Sequence, residues 1–349
     1  MTIAVRSFAK INLGLYIGAL RADGYHDLRT VYQTIALHDV IRVSVGRGRG
    51  IRISCKDARV PLDSSNTCYR IAELVLGELG AKSEARIEIE KQLPVQGGLG
   101  AASSNAVAAM IGLERALKKK LSGAARLQIA AQVGSDLPLF LAGGTVLGVG
   151  HGEEVYPLAD FPSVPMVVVT PAIGVSTPKA FADWDARAKS DSFDDRGEPA
   201  RSEAEGLRHT TPEQLTAPRS SDRLFEVGCA LSAWLSGSGN IRGLPNTGAS
   251  AKGGSRAEKL LLDLVRTGIE NDFEKVVFPQ YPELRDIKGA LERAGATYAS
   301  LSGSGSTLYG LFRSPAEAVK AASRLQRQGV RAVATRMLTR SSYWKQMSV

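Results

Sequence analysis

The residues best suited to chemistry in this chain lie between Lys91 and Leu117, in the stretch KQLPVQGGLGAASSNAVAAMIGLERAL. Gly97, Gly98 and Gly100 can adopt backbone angles that a β-carbon forbids, so an anion can approach the main chain closely. After them Ala106, Met110, Leu113 and Leu117 recur at helical spacing beside Val107 and Ile111, which predicts a helix whose free N–H groups open toward the same place. Ser103 and Ser104 are expected to cap it. Ahead of the glycines, Arg86 to Glu90 alternates polar and apolar, the pattern of a half-buried strand. Strand, glycine-rich turn and helix make a backbone cradle for phosphate. It is neither of the commoner phosphate loops, since it lacks both Gly-Lys-Ser/Thr and Gly-x-Gly-x-x-Gly.

Other candidates are polar residues in apolar or turn settings. Lys10 and Asn12 interrupt Ile3 to Ile17, a segment that reads as one or two strands. A lysine in a strand is ordinarily a solvated edge residue. Arg21 to Leu28, RADGYHDL, is a turn marked by Asp23-Gly24, and the Tyr25 and His26 that follow form a pair suited to holding a base. Asp136, in Gly134-Ser135-Asp136-Leu137-Pro138, is expected at an element boundary because the proline disfavours continued helix before it.

The rest of the pattern supplies the frame. Ile41 to Val45 and Ile51 to Cys55 read as an antiparallel hairpin around Gly46 to Gly50. Asn66 or Thr67 caps a helix that buries Ile71, Leu74 and Val75 and stops near Gly80. Thr145 to Val149 and Met166 to Thr170 read as strands, and Thr177-Pro178 opens a short helix containing Phe181 and Trp184. Arg187 to Arg223 is polar and reads as a long loop, Leu224 to Leu235 as a helix, and Ser236 to Ser255 as a second loop. Further helices are expected over Glu258 to Val265, Glu283 to Ala294 and Pro315 to Gln328. A hairpin is expected from Thr297 to Phe312 around SGSGS, with a last strand at Val330 to Met337. Sheet and helices in the C-terminal half suggest an α+β layer.

At 349 residues, with 44% hydrophobic and 23% charged, the chain has the composition of an ordinary globular protein about two domains long. Its net charge of +9 is spread along the sequence apart from Lys118 to Lys120. Such a field suits phosphate-bearing ligands. Cys55, Cys68 and Cys229 form no metal or disulfide pattern, which points to a reducing, cytoplasmic setting. No apolar run approaches a membrane span.

The loop P-x-x-G-G-L-G-x-x-S-S-N resembles the phosphate loop of the kinase superfamily that includes galactokinase, homoserine kinase, mevalonate kinase and phosphomevalonate kinase. With S-F-A-K-I-N-L, R-A-D-G-Y-H, G-S-D-L-P-L-F and L-S-G-S-G-S in the same order, nearly the whole chain outside its middle resembles the 4-diphosphocytidyl-2-C-methyl-D-erythritol kinase family. The resemblance implies a two-domain α+β kinase fold. A ribosomal-protein-like α/β domain would span residues 1–160, and a ferredoxin-like α+β domain residues 161–349, with a polar insertion near 187–255. It implies ATP and Mg²⁺, with ATP and a cytidine diphosphate-linked polyol as small-molecule partners and neither nucleic acid nor membrane. By the same resemblance Lys10 and Asp136 form the catalytic pair, Asn12 lies beside the transferred group, and Tyr25, His26, Thr177 and Phe181 hold the second substrate. Asn66, Lys91, Pro94 and the run Gly97, Gly98, Leu99, Gly100, Ala101, Ala102, Ser103, Ser104 and Asn105 surround the nucleotide.

The chemistry of the residues agrees with these roles. Phosphoryl transfer needs an acceptor hydroxyl, a group to take its proton and donors to spread the phosphate charge. Asp136 can serve as the base, with Lys10 keeping it ionised. No D-x-D or H-E-x-x-H pattern identifies metal ligands, and a water-rich metal site near Ser104 is expected. The loop departs from the family at Gln96, Ala101 and Ala102, where glycine or another small residue is usual, and retuned ATP affinity is the expected effect. Two other readings are a homoserine- or mevalonate-type kinase, which Tyr25, His26 and Phe181 argue against, and an RNA-binding module. The latter calls for aromatic and basic residues interleaved on strands, and only 6% of the residues are aromatic.

Overall fold

The computed structural model describes residues 2–95, 97–191 and 270–349. By internal contacts the chain divides into Met1–Ala180 with Ile269–Val349, and a second unit, Phe181–Gly268. The elements described below belong to the first unit, apart from the end of one helix.

Its N-terminal half is organised on two long strands, β1 (Thr2–Leu20) and β2 (His26–Arg47), paired antiparallel from Thr2 opposite Ser44 to Leu20 opposite His26. Residues Ser7 to Leu15 of β1 are buried without a break, so both faces of the strand are covered and no polar-apolar alternation marks it in the sequence. Irregularities fall between Phe8 and Lys10 and between Asn12 and Gly14, on either side of the two polar residues. Such bulges redirect a strand's side chains. Lys10 and Asn12, two residues apart, therefore share one face.

The far edge of β2 is divided. Its second half pairs with β4 (Ser83–Glu90) and its first half with β5 (Thr145–Val149), which carries β6 (Glu154–Pro157) beyond it. The expected hairpin between β2 and the next strand does not form. β3 (Gly50–Cys55) lies parallel to β4, and β4 stands between β3 and β2. Both strands alternate as a hairpin would, but the helix α1 (Thr67–Glu78) that follows β3 provides the crossover a parallel pair requires. Asn66 caps α1, its side chain accepting from the Cys68 N–H at 2.8 Å.

Three more helices cover this sheet: α2 (Ala101–Leu117), α3 (Gly123–Val133) and the short α4 (Leu137–Ala142). The core between them includes Val5, Phe8, Ile41, Val43, Ile71, Met110, Leu113 and Phe140. Helix α2 lies so close to β2 that a β-carbon on Gly112 would sit 2.6 Å from a Val43 methyl. The second sheet is antiparallel, in the order β10-β7-β9-β8, from β7 (Pro165–Val169), β8 (Tyr298–Leu301), β9 (Leu308–Leu311) and β10 (Ala332–Arg336). With it are α6 (Glu274–Gln280), α7 (Pro282–Arg293) and α8 (Pro315–Arg327).

The segment read as loop from Arg187 begins later, since α5 (Thr177–Asp191) continues to Asp191. The helices expected at Leu224 to Leu235 and Glu258 to Val265, the loop at Ser236 to Ser255, Cys229 and Gln96 lie outside the described residues. A final helix, α9 (Arg340–Met347), brings Tyr343 and Met347 into the core of the first sheet. No helix among the described residues is long and apolar enough to cross a membrane.

Candidate active site

The glycine-rich loop leaves β4 and turns into α2 through three residues with positive φ: Gly97 at 148°, Gly98 at 85° and Gly100 at 67°. The helix begins one turn earlier than expected. Gly100 is the N-cap, and Ser103 and Ser104 lie within the first turn. Ser104 sends its hydroxyl inward, donating to the Phe8 carbonyl at 2.6 Å beside Ser7 Oγ. Ser103 instead lines a cavity of about 320 Å³.

That cavity is walled by Pro94, Gly97 to Ala102 and Asn105 on the loop side, and by Val60, Pro61, Ser65, Asn66 and Thr67 opposite. Gly97, Gly98 and Gly100 contribute only main chain to its lining. A β-carbon on Gly100 would come 2.9 Å from the Phe140 ring and 3.1 Å from Lys10 Cγ. Backbone N–H groups at a helix start, in a cleft of this size, fit a nucleotide and its phosphates.

Two expected nucleotide residues line the cavity with their polar groups already engaged. Asn66 caps α1 and donates from Nδ2 to the Pro61 carbonyl at 2.6 Å. Lys91 places Nζ 2.5 Å from Asp39 Oδ2. Asp39, fully buried on β2, also accepts from the N–H groups of Gln92 and Leu93, each at 2.7 Å, and from Asn105 Nδ2 at 3.0 Å. A buried carboxylate is retained only when it is so satisfied. Asp39 thereby ties both ends of the phosphate loop to β2.

The catalytic pair expected from the resemblance meets at the loop's other side. Lys10 is buried on β1, with Nζ 2.7 Å from Asn12 Oδ1 and 3.7 Å from Asp136 Oδ2. Its backbone N–H donates to the Leu99 carbonyl at 3.0 Å, which joins the pair directly to the loop. The amide of Asn12 is oriented by a relay, since Nδ2 donates to Thr30 Oγ and that hydroxyl donates to the Gly14 carbonyl, each at 2.7 Å. Burial pushes the Lys10 ammonium below the ordinary lysine value, and the Asp136 charge opposes that shift. Asp136 stands at the N-cap position of α4 without capping it, and about a third of its side chain is exposed. Its other oxygen, Oδ1, accepts from the Tyr32 hydroxyl at 3.2 Å.

Sequence reading passed over several residues that hold this arrangement. Tyr32 looks like any strand tyrosine. Asp39 did carry a signal, a carboxylate within a long apolar strand. The SGSGS turn joins β8 and β9 as the expected hairpin, and it also reaches the glycine loop: Ser302 Oγ donates to the Gly98 carbonyl at 3.0 Å and the Thr307 N–H to the Gly97 carbonyl at 3.1 Å. Asn271 steadies that turn, donating to the carbonyls of Leu301 and Gly303 at 2.9 and 2.8 Å.

The expected base-holding residues are placed less uniformly. Tyr25 is 63% exposed and its ring lies 4.9 Å from that of His151. His26 is buried, with Nδ1 2.9 Å from the Gly18 carbonyl. Thr177 Oγ lies 2.6 Å from Ser304 Oγ, beside the SGSGS turn. Phe181 is half-buried on α5 and belongs to the second unit.

Comparison with known proteins decides the family. The description "GHMP kinases N terminal domain" matches residues 66–144, and "GHMP kinases C terminal" matches residues 256–331. The 4-diphosphocytidyl-2-C-methyl-D-erythritol kinase of Solibacter usitatus is 34% identical over 88% of this chain and 81% of its own length. The chain belongs to the 4-diphosphocytidyl-2-C-methyl-D-erythritol kinase family. The family's member from Heliobacterium modesticaldum is 33% identical over 92% of this chain and 89% of its own. Among solved structures, a 4-(cytidine 5'-diphospho)-2C-methyl-D-erythritol kinase superposes with a TM-score of 0.66 at 26% identity, covering 96% of this chain and 99% of that one. A homoserine kinase from Cytophaga hutchinsonii superposes with a TM-score of 0.64 at 18% identity over 97% and 95% of the two chains, which is a likeness of fold. As a member of this kinase family the chain is an ATP-dependent phosphotransferase.

Proposed function

We propose that this chain transfers the γ-phosphoryl group of ATP to the 2-hydroxyl of 4-diphosphocytidyl-2-C-methyl-D-erythritol, in the supply of isoprenoid precursors. The observation that carries the catalytic assignment is the Lys10–Asp136 contact of 3.7 Å, beside a loop whose Leu99 carbonyl is bonded to the Lys10 backbone. The relatives' names support the substrate, and the RADGYH turn is the part of this sequence most specific to them.

Asp136 accepts the proton of the attacking hydroxyl at a carboxylate oxygen as the new P–O bond forms. Lys10 supplies positive charge where negative charge builds up, and does so effectively because it is buried and already aimed by Asn12. The glycine loop offers its N–H groups to the β- and γ-phosphates. Mg²⁺ neutralises those phosphates in such reactions, and among the described residues there is no cluster of three or more His, Cys, Asp or Glu to hold it. Bound with ATP, the ion would supply charge neutralisation at the phosphates. In this reading Tyr25 stacks on the cytosine and His26 reads its edge.

A coupled assay of ADP release tests the assignment. Turnover should rise on adding the diphosphocytidyl substrate and stay at background with homoserine or mevalonate. Stimulation by either of the latter alone would overturn it.

A further inference from the structure

The Asp136 carboxylate has two partners, and only one of them follows from the resemblance. Lys10 faces Oδ2, while Oδ1 accepts from the Tyr32 hydroxyl at 3.2 Å. Tyr32 lies on β2, is 3% exposed, and turns its ring toward Lys10, whose Nζ stands 5.4 Å from the ring centroid. Tyrosine thus touches both members of the pair, one through its hydroxyl and the other through its π face.

The surroundings are shaped for this one side chain. Facing Tyr32 is the end of β5 and the turn after it, Gly148-Val149-Gly150-His151-Gly152. A β-carbon on Gly148 would lie 2.4 Å from the ring edge, and one on Gly152 would lie 2.5 Å from the hydroxyl oxygen. Both glycines leave room for the phenol, one for its ring and one for its oxygen. Backbone this close to one ring edge and to the hydroxyl oxygen restricts how far the phenol can swing away from Asp136. Burial, and after it the Asp136 charge, pushes the phenol well above the ordinary tyrosine value, so it remains a donor throughout the working pH range.

We propose that Tyr32 is a positioning residue for phosphoryl transfer: seated by Gly148 and Gly152, it fixes the Asp136 carboxylate so that one oxygen stays bonded while the other is presented between Lys10 and the acceptor hydroxyl. The inference rests on Asp136 being the proton acceptor proposed above. A carboxylate one-third exposed, without the phenol, would rotate about its terminal torsion, which is broad and two-fold, and spend part of its time misdirected. The loss would fall on the chemical step, since neither substrate's binding depends on which way Asp136 points.

The test is a double-mutant cycle on kcat and KM. Tyr32→Phe keeps the ring and removes one oxygen. It should lower kcat by about 10- to 150-fold, in the range of a hydrogen bond to a charged group, with both KM values within about two-fold and melting nearly unchanged. Gly148→Ala, which pushes the ring without altering its chemistry, should lower kcat in the same sense. In an Asp136→Asn background, itself expected about 10²–10⁴-fold down, Tyr32→Phe should cost almost nothing further. A Tyr32→Phe enzyme with wild-type kcat, or an undiminished further loss in the Asp136→Asn background, would overturn the proposal for Tyr32. A near-wild-type kcat for Asp136→Asn would overturn the base assignment instead, so the two failures are distinguishable.

Discussion

Gly98 and Ser302 meet backbone to backbone: a β-carbon on Gly98 would lie 2.1 Å from the Ser302 carbonyl oxygen. The phosphate loop is therefore pressed against a turn of the second sheet and has no freedom to back away. Gly98→Ala must either displace the loop or open the contact, with the added strain of φ at +85°. The expected result is a loss of about 10²-fold in kcat/KM for ATP, the size of effect an ångström-scale misplacement produces. Gly123→Ala, at the start of α3 with nothing within 4 Å, is the control and should leave kinetics unchanged and melting unchanged or slightly raised.

Removing the hub at Asp39 should be costlier for stability than for chemistry. Asp39→Asn leaves the Lys91 ammonium, 9% exposed, without its counter-charge and turns one acceptor oxygen into a donor that faces other donors. Breaking a buried pair in this way is worth about 3–5 kcal/mol. Urea unfolding of the two proteins would measure it, and a difference below about 1 kcal/mol would show that the loop is anchored by other means.

Lys10 gives a pH prediction with a defined sign. Its folded value lies below 10.5, so between that lowered value and 10.5 the unfolded chain binds more protons, and unfolding free energy gains from Lys10 as pH rises through the window. Titration of the Lys10 ammonium by NMR should give a midpoint below 10.5. In Asp136→Asn it should fall further, because the charge that opposes the burial effect is gone. A midpoint that rises in that variant would contradict the pairing.

Tyr25 is exposed enough to be removed without disturbing the fold. If it stacks on the cytosine, Tyr25→Ala should weaken the diphosphocytidyl substrate about 5- to 150-fold, from the ~1–3 kcal/mol of a base–aromatic stack, while leaving the KM for ATP unchanged. An equal rise in both KM values would assign Tyr25 a structural role.

Much of the frame is legible in the sequence because it is periodic. Ile71, Leu74 and Val75 declare α1, and the alternation from Arg86 to Glu90 declares β4. The order of β2, β3 and β4 is not legible, since Ile41 to Val45 and Ile51 to Cys55 alternate identically whether they pair with each other or with a strand inserted between them. The helix start was misplaced toward the serines because Ser is a favoured cap, whereas Gly100 reaches the left-handed angles that the close approach to Phe140 and Lys10 requires. In the candidate site, Lys10 and Asp136 stand out in the sequence through motifs, and the structure brings them to 3.7 Å. Tyr32 on β2 does not stand out, because it is an ordinary residue locally and meets Asp136 only across 104 residues of sequence, while Ser302 stands out as part of LSGSGS without its bond to Gly98 being legible.

The Ser302–Gly98 hydrogen bond spans 204 residues of sequence, and Tyr343, whose hydroxyl donates to the Phe140 carbonyl at 2.7 Å, spans 203. During synthesis at about 5–20 residues per second, the glycine loop would emerge roughly 10–40 s before the turn that shapes it. For that interval the newly made N-terminal half has Lys10, Asp136 and the glycine loop, but that loop is unbraced and the core around Phe140 is open on the side that α9 will close. The bracing of the glycine loop is thus completed late in synthesis, and until then the apolar side chains around Phe140 lack the cover that Tyr343 and Met347 give them.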